Sequence, residues 1–329
     1  MTQEHLFAPY IRILGKGKKG SRSLTQTEAR NAFAMVLRDE IEPEQLGAFL
    51  MLLRIKEETG EEVAGFVEAV REQLDIPRDM PSVDLDWSTY AGKRRHLPWF
   101  ILATLALANS GIRVFMHGAS GHTAGRLYTR EVLEALKLPV AKNWAEVSNQ
   151  LEQHNFSYLG LEHLSPVLHK IIELRPILGL RSPVHTLARQ LNPLHAPCSM
   201  QSIFHPGYQA IHQEAELLLN QPRMAVIKGD GGEVECNPDA DSTAFTVIDG
   251  VAEEECWPAL FSQRHVKPTE LNLQDLVSVW RGEKKDEYAH GAIIMTMAIT
   301  LKTQGKAETQ AQALTLAESL WQQRSVDRI

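Results

Sequence analysis

The side chains best placed to do chemistry are cations. Lys16, Lys18, Lys19 and Arg22 lie in the run Gly15-Lys-Gly-Lys-Lys-Gly20-Ser-Arg22. Lys93-Arg94-Arg95 follows Gly92 directly, with Arg126 and Arg130 further on. Arg175, Arg181 and Arg189 form a more widely spaced set. Lysine meets phosphate as a point charge and arginine as a planar fork of donors. Consecutive cations repel one another unless solvent or an anion lies between them. Residues 11–27 and 87–130 contain no acid, whereas 230–257 is crowded with Asp and Glu and has no Lys or Arg. Local fields of this kind govern docking even in a chain of net charge -7.

The glycines around these cations admit more than one use. Gly15 to Gly20 matches the string G-x-G-x-x-G, but a dinucleotide fingerprint needs a strand before it and a helix opening on its last glycines. Here the next helix opens only at Thr25. The string also lacks the Lys-Ser/Thr pair of a phosphate-binding P-loop. A basic loop for phosphate contact and a plain solvated loop both fit. In His117-Gly-Ala-Ser-Gly121, small residues and a hydroxyl let backbone N–H groups approach a phosphate near Gly118, Ser120 and Gly121. The 13 histidines show no H-E-x-x-H pairing. No nucleophile–base pair follows from spacing, so no catalytic residue is assigned.

These groups need elements to hold them. Thr25-Gln-Thr-Glu28 predicts a capping box, followed by Ala29, Phe33, Val36 and Leu37 at helical spacing. Pro43 suits a second helix start, with Leu46, Phe49, Leu50 and Leu53 as its stripe. A third helix is predicted from Glu61-Glu62 through Val70. After Pro81 the pattern alternates. Strands are predicted at Val83–Asp86, Ile112–Phe115, Tyr158–Leu159, Met224–Lys228 and Phe245–Ile248, with helices at Phe100–Asn109 and Leu127–Leu136. Ser165-Pro166 predicts a helix start and Arg175-Pro176 its kink or end. Two closing helices carry Met295, Ile299 and Leu301, then Leu314, Leu316, Ala317 and Leu320. The pattern predicts an α/β chain with a mainly parallel central sheet. Its expected division is a helical domain at 1–76, completed by 164–194, and an α/β domain at 77–163 and 195–329.

At 329 residues, with 43% hydrophobic and 23% charged residues, the chain is long enough for two domains and is not disordered. No apolar run approaches the ~20 residues of a membrane span. The first residues lack the basic and apolar regions of a secretory signal. The 3 cysteines lie far apart, without a CxxC pair, as expected in a reducing cytoplasm.

The run from Leu50 through Gly60-Glu-Glu-Val-Ala-Gly-Phe66 to Val70 resembles the N-terminal signature of anthranilate phosphoribosyltransferases and class II nucleoside phosphorylases. Ala108-Asn-Ser-Gly111 to Gly118, Glu131 to Leu136, Arg175-Pro-Ile-Leu-Gly-Leu-Arg181, Asn192-Pro193 and Val226-Ile-Lys-Gly229 continue the resemblance in order. It implies a small helical domain that dimerises, joined to a larger α/β domain. Within the family the chain resembles the TrpD-like branch of YbiB-like proteins. The family's Gly-Thr-Gly-Gly-Asp loop, which cradles the pyrophosphate of phosphoribosyl pyrophosphate, is replaced by Ser88-Thr-Tyr-Ala-Gly-Lys-Arg-Arg95. Its Lys-His-Gly-Asn becomes Met116-His117-Gly118-Ala119. Its magnesium-holding Asp-Gly-Leu-Asp-Glu becomes Gly231-Gly-Glu-Val-Glu235. The family arginine that contacts anthranilate aligns with Arg175.

With glycines replaced by cations, the resemblance implies a cytoplasmic homodimer without a cofactor that binds DNA, with RNA as a secondary candidate, without sequence preference. Its contacts are expected at Lys16, Lys18, Lys19, Arg22, Lys93, Arg94 and Arg95, then Arg126, Arg130, Arg175, Arg181 and Arg189. The alternative is a phosphoribosyltransferase or phosphorylase with another substrate, with any metal on Glu233 or Glu235 and phosphate near Gly118 and Ser120. A third reading is an adaptor whose acidic 230–257 segment docks a basic protein.

Overall fold

The computed structural model describes residues 4–17 and 19–329. Lys18 therefore lies outside the described residues. The chain opens with α1 (Ala8–Gly15), α2 (Gln26–Leu37), α3 (Pro43–Lys56) and α4 (Gly60–Arg71). Thr25 and Glu28 form the predicted capping box on α2. Thr59 and Glu62 form a second one on α4, so that helix starts one residue before the sequence expectation. Glu62 is buried because it also accepts from the Leu24 N–H at 2.8 Å. Gly65 lets α4 lie directly on α2, since a Cβ there would collide with the Gln26 carbonyl.

The α/β portion begins with β1 (Leu85–Thr89), α5 (Trp99–Asn109), β2 (Val114–Gly118), α6 (Thr129–Ala135), α7 (Trp144–His154) and β3 (Phe156–Gly160). Short helices α8 (Leu161–Leu164), α9 (Pro166–Ile172), α10 (Arg175–Leu178) and α11 (Val184–Leu187) follow. Ser165 precedes α9 without a side-chain cap, and Pro176 opens α10 instead of kinking α9. The chain then forms β4 (Cys198–Ile203), α12 (Tyr208–Leu218), β5 (Arg223–Lys228), β6 (Ser242–Ile248), β7 (Val251–Trp257), α13 (Gln274–Trp280), α14 (Glu287–Thr303) and α15 (Gln310–Gln322).

One seven-stranded sheet has the order β3-β2-β1-β4-β5-β6-β7. Strands β1 to β5 are mutually parallel, while β6 and β7 run antiparallel. Leu85 is in register with both Val114 and Cys198. The chain builds outward from β1 in one direction and then from β4 in the other. The β1/β4 boundary is thus a switch point, where loops at the strands' carboxyl ends part and leave a crevice.

Two large apolar clusters flank the sheet. One joins Trp87, Met116 and Met200 to α5, α14 and α15. The other joins Phe115 and Leu159 to the N-terminal helices and to Leu168, Ile172, Val184 and Leu187 of α9 and α11. The segment after β3 therefore shares a core with α2–α4. Among the described residues, no helix is long and apolar enough to cross a membrane.

Candidate functional site

The crevice is a cleft of about 610 Å³ lined by Arg94 and Arg95 after β1, Arg126 before α6, Phe204 and Pro206 after β4, and Lys228 to Gly231 at the end of β5. Gln209, Asn237 and residues 240–243 complete its lining. Arg94 and Arg95 are exposed at its rim. Arg126 is half-buried and works as a clamp: its Nη1 donates to the carbonyls of Ala91 at 2.9 Å, Gly92 at 3.0 Å and Gly231 at 3.1 Å.

Lys93 faces inward. It exchanges both backbone hydrogen bonds with Leu127, each 2.8 Å long. This turns its side chain, with 0% exposure, toward Asp230 and Glu235. The sequence-based assignment of Lys93 to nucleic acid is corrected, because its ammonium is consumed by two carboxylates. Burial disfavours the charged lysine, but Glu235 and Asp230 outweigh it and raise its pKa. Burial likewise raises Asp230, and Lys93 reverses that, leaving it below the ordinary carboxylate range.

Arg189 is a second correction. It is buried and donates to the carbonyls of Gly232 at 3.1 Å and His185 at 3.2 Å. Arg22 is exposed but forks onto Glu28, and Arg130 pairs with Glu134 and Glu162. Lys16 and Lys19 are exposed on the α1–α2 connection and do not line the cleft. Gly118 is fixed by packing: a Cβ there would collide with the Thr89 carbonyl, so the strands require glycine with or without phosphate. Ser120 is half-buried, and Gly121 is an exposed turn residue at φ +82.

A second cationic centre lies behind the clamp. Arg175 Nη1 donates to the His122 carbonyl at 2.7 Å and to Thr123 Oγ1 at 2.5 Å. Arg181 reaches Thr123 Oγ1 at 3.5 Å. Burial, then Arg175, Arg126 and Arg189, lower Arg181 to about 10. Burial also lowers His122 to about 4 and His185 to about 3, so both imidazoles are neutral at pH 7. Arg181, His185 and Arg189 line a smaller cavity of about 120 Å³ with Arg54, Tyr208 and His212. No spacing in the sequence pointed to Lys228, Phe204 or this histidine pair, which meet only through the sheet topology.

The model of a glycosyl transferase family helical bundle domain matches residues 8–74, and that of the same family's a/b domain matches residues 101–323. The chain belongs to this glycosyl transferase family. Its relatives within the family include an anthranilate phosphoribosyltransferase of Oleidesulfovibrio alaskensis, 31% identical over 254 residues and covering 75% of each chain. The uncharacterized protein YbiB of Escherichia coli is 28% identical over 234 residues, 69% of this chain and 72% of its own length. Among solved structures, anthranilate phosphoribosyltransferase (TrpD) from Thermus thermophilus superposes with TM-score 0.79 at 21% identity, covering 97% of this chain and 94% of that one. The scaffold is thus a phosphoribosyltransferase scaffold of the TrpD type.

Against that scaffold, the magnesium implied by the resemblance does not fit the side chains present. Lys93 sits on Asp230 and Glu235, and Glu233 is taken up by backbone N–H groups. Among the described residues no group of three His, Cys, Asp or Glu could hold a metal ion. Glu233 and Glu235 are therefore corrected from candidate metal ligands to internal partners. The same observation divides the acidic 230–257 segment: its first acids face the turn after β1, and Glu253 and Glu254 are exposed on β7.

Proposed function

We propose that the chain binds a phosphoribosyl- or nucleoside-class ligand in the arginine-lined cleft. In this reading it acts as a glycosyl transferase of phosphoribosyltransferase or phosphorylase type, without magnesium at Asp230 and Glu235. The observation that carries it is the convergence of Arg94, Arg95, Arg126 and Lys228 on one crevice at the switch point. Of the acids there, Asp230 is neutralised by Lys93, and Asp241 accepts from the Ala259 N–H at 2.9 Å. Guanidinium groups at the rim would hold phosphate oxygens, and Phe204 offers an apolar face to a base or sugar. Kinship with anthranilate phosphoribosyltransferases over two thirds or more of the chain supports a ribose-phosphate ligand. Titration calorimetry of ribose 5-phosphate and nucleoside monophosphates, without metal, tests it. We expect binding that R94E/R95E weakens at least tenfold; no heat from any of these ligands at millimolar concentration refutes the reading.

A second reading, sequence-independent nucleic-acid binding, draws on the exposure of Arg94 and Arg95 at the rim and of Lys16 and Lys19 elsewhere. A polynucleotide presents the same nucleoside phosphate repeatedly, and a homodimer would add avidity. Tight binding of random oligonucleotides that mononucleotides fail to compete favours this reading over the first.

A further inference from the structure

The turns that follow β1 and β5 satisfy one another. Glu233 Oε1 accepts from the backbone N–H groups of Ala91 at 2.7 Å and Gly92 at 2.5 Å. The residue is 1% exposed, and its Oε2 is buried without a partner. Two amides converging on one oxygen form a nest that selects anions. Beside it, Lys93 Nζ lies between Asp230 and Glu235, and Glu235 also accepts from the Phe100 N–H at 2.8 Å, in the first turn of α5. Arg126 staples the two turns through their carbonyls, and Arg189 holds Gly232. A phosphoryl oxygen on the amides and a divalent cation on the carboxylates would need these same contacts.

We propose that Glu233 and Lys93 are built-in ligands, an internal anion and an internal cation, that close the turn after β1 to magnesium-bound pyrophosphate. A carboxylate stands where a phosphoryl oxygen would accept from the amides, and an ammonium where a metal would meet Asp230 and Glu235. Both are tethered, so their effective concentration favours them over a free ligand. An entering phosphate would also leave the Glu233 carboxylate buried beside a like charge. Ligands then reach the cleft only from its outer side, past Arg94, Arg95 and Lys228. This inference concerns the inner turn; a phosphoribosyl donor in the cleft would keep its diphosphate on the outer side, against Arg94, Arg95 and Lys228.

The test titrates inorganic pyrophosphate, with and without Mg²⁺, into the full chain and its variants. In the R94E/R95E background, which removes the rim cations of the outer cleft, the chain gives no heat at millimolar pyrophosphate. E233A added to that background, with its fold checked by circular dichroism, gains binding at least tenfold. E233Q keeps an oxygen on the two amides and stays closed. Mn²⁺ raises the melting temperature of K93A and leaves that of the wild type unchanged. Should E233A not fold, amide hydrogen exchange of the wild type decides: Ala91 and Gly92 are protected equally with and without Mg²⁺-pyrophosphate. Micromolar pyrophosphate binding to R94E/R95E, ligand-dependent exchange at those amides, a folded E233A that gains nothing, or a K93A melting temperature that Mn²⁺ does not move overturns the proposal. R94E/R95E leaves the Glu233 contacts in place, so a failure of the cleft reading is seen separately.

Discussion

Moving a lysine out of water costs several kcal/mol unless its charge is answered, and Lys93 is answered twice. The pairing explains why a residue inside a basic tripeptide leaves the surface while its neighbours Arg94 and Arg95 stay there. Lys93 shares a two-way backbone bridge with Leu127, and that fixes which way its side chain points. Removing the ammonium strands the buried Glu235 carboxylate and leaves the half-buried Asp230 without its partner. K93M is therefore expected to lose about 3–5 kcal/mol in urea denaturation. The triple variant K93M/D230N/E235Q removes the stranded charge and should recover much of the loss. A K93M loss below about 1 kcal/mol would place the lysine in solvent. The sequence made the three cations look alike, because exposure depends on partners some 140 positions away, roughly the separation of Lys93 from Glu235.

At the level of elements, the sequence exposed what is amphipathic and concealed what is buried on both sides. The capping box of α2, the stripe of α3 and the apolar α14 follow directly from residue spacing. No strand is predicted at β4, because Ser199, Gln201 and Ser202 interrupt any apolar run, yet all three are fully buried. Their polarity is used internally. Gln201 donates to Glu216 and accepts from His212 Nδ1 at 2.7 Å, linking the sheet to α12. Strand β7 was hidden by its glutamates, although Asp249-Gly250, both at positive φ, is a turn pair of the kind that joins hairpin strands. The candidate site was legible only as charge, since the switch point that gathers it is a property of strand order. Two predictions belong here. G65A drives a methyl into the Gln26 backbone and should cost roughly 1–3 kcal/mol by thermal or chemical denaturation. Burial raises Glu216 from 4.5 to about 7, against the opposing pull of Arg71 and Gln201. The folded state therefore holds this proton more tightly than the unfolded chain. Its contribution is complete below about pH 4.5 and is lost as pH rises through about 7. E216Q should gain stability relative to the wild type between pH 5 and pH 8.5, by up to about 3 kcal/mol. An unchanged difference across that range would show that Glu216 is already ionised at pH 5.

For the molecule as a whole, the charge pattern separates what the sheet offers from what it refuses. Cations gather at the carboxyl ends of the parallel strands, while acids line the outer edge of the antiparallel hairpin. That edge matters because β7 ends the sheet with no further strand beside it, although its Glu253 and Cys256 carbonyls accept from the Gln213 and Gln310 side chains. Such an edge is a template for pairing with another chain unless charge discourages it. Glu253 and Glu254 are exposed on the two opposite faces of β7 and pair in register with Thr246 and Phe245. A second β7 approaching this edge would bring their like charges together, at a cost that grows as salt falls. E253V/E254V removes that repulsion and adds β-branched residues to the strand. Light scattering should then reveal association of the variant at neutral pH, with circular dichroism of the dilute protein matching the wild type. If the variant stays as dispersed as the wild type in both low and high salt, the glutamates are not what guards the edge, and the twist of the β6–β7 hairpin must do so alone.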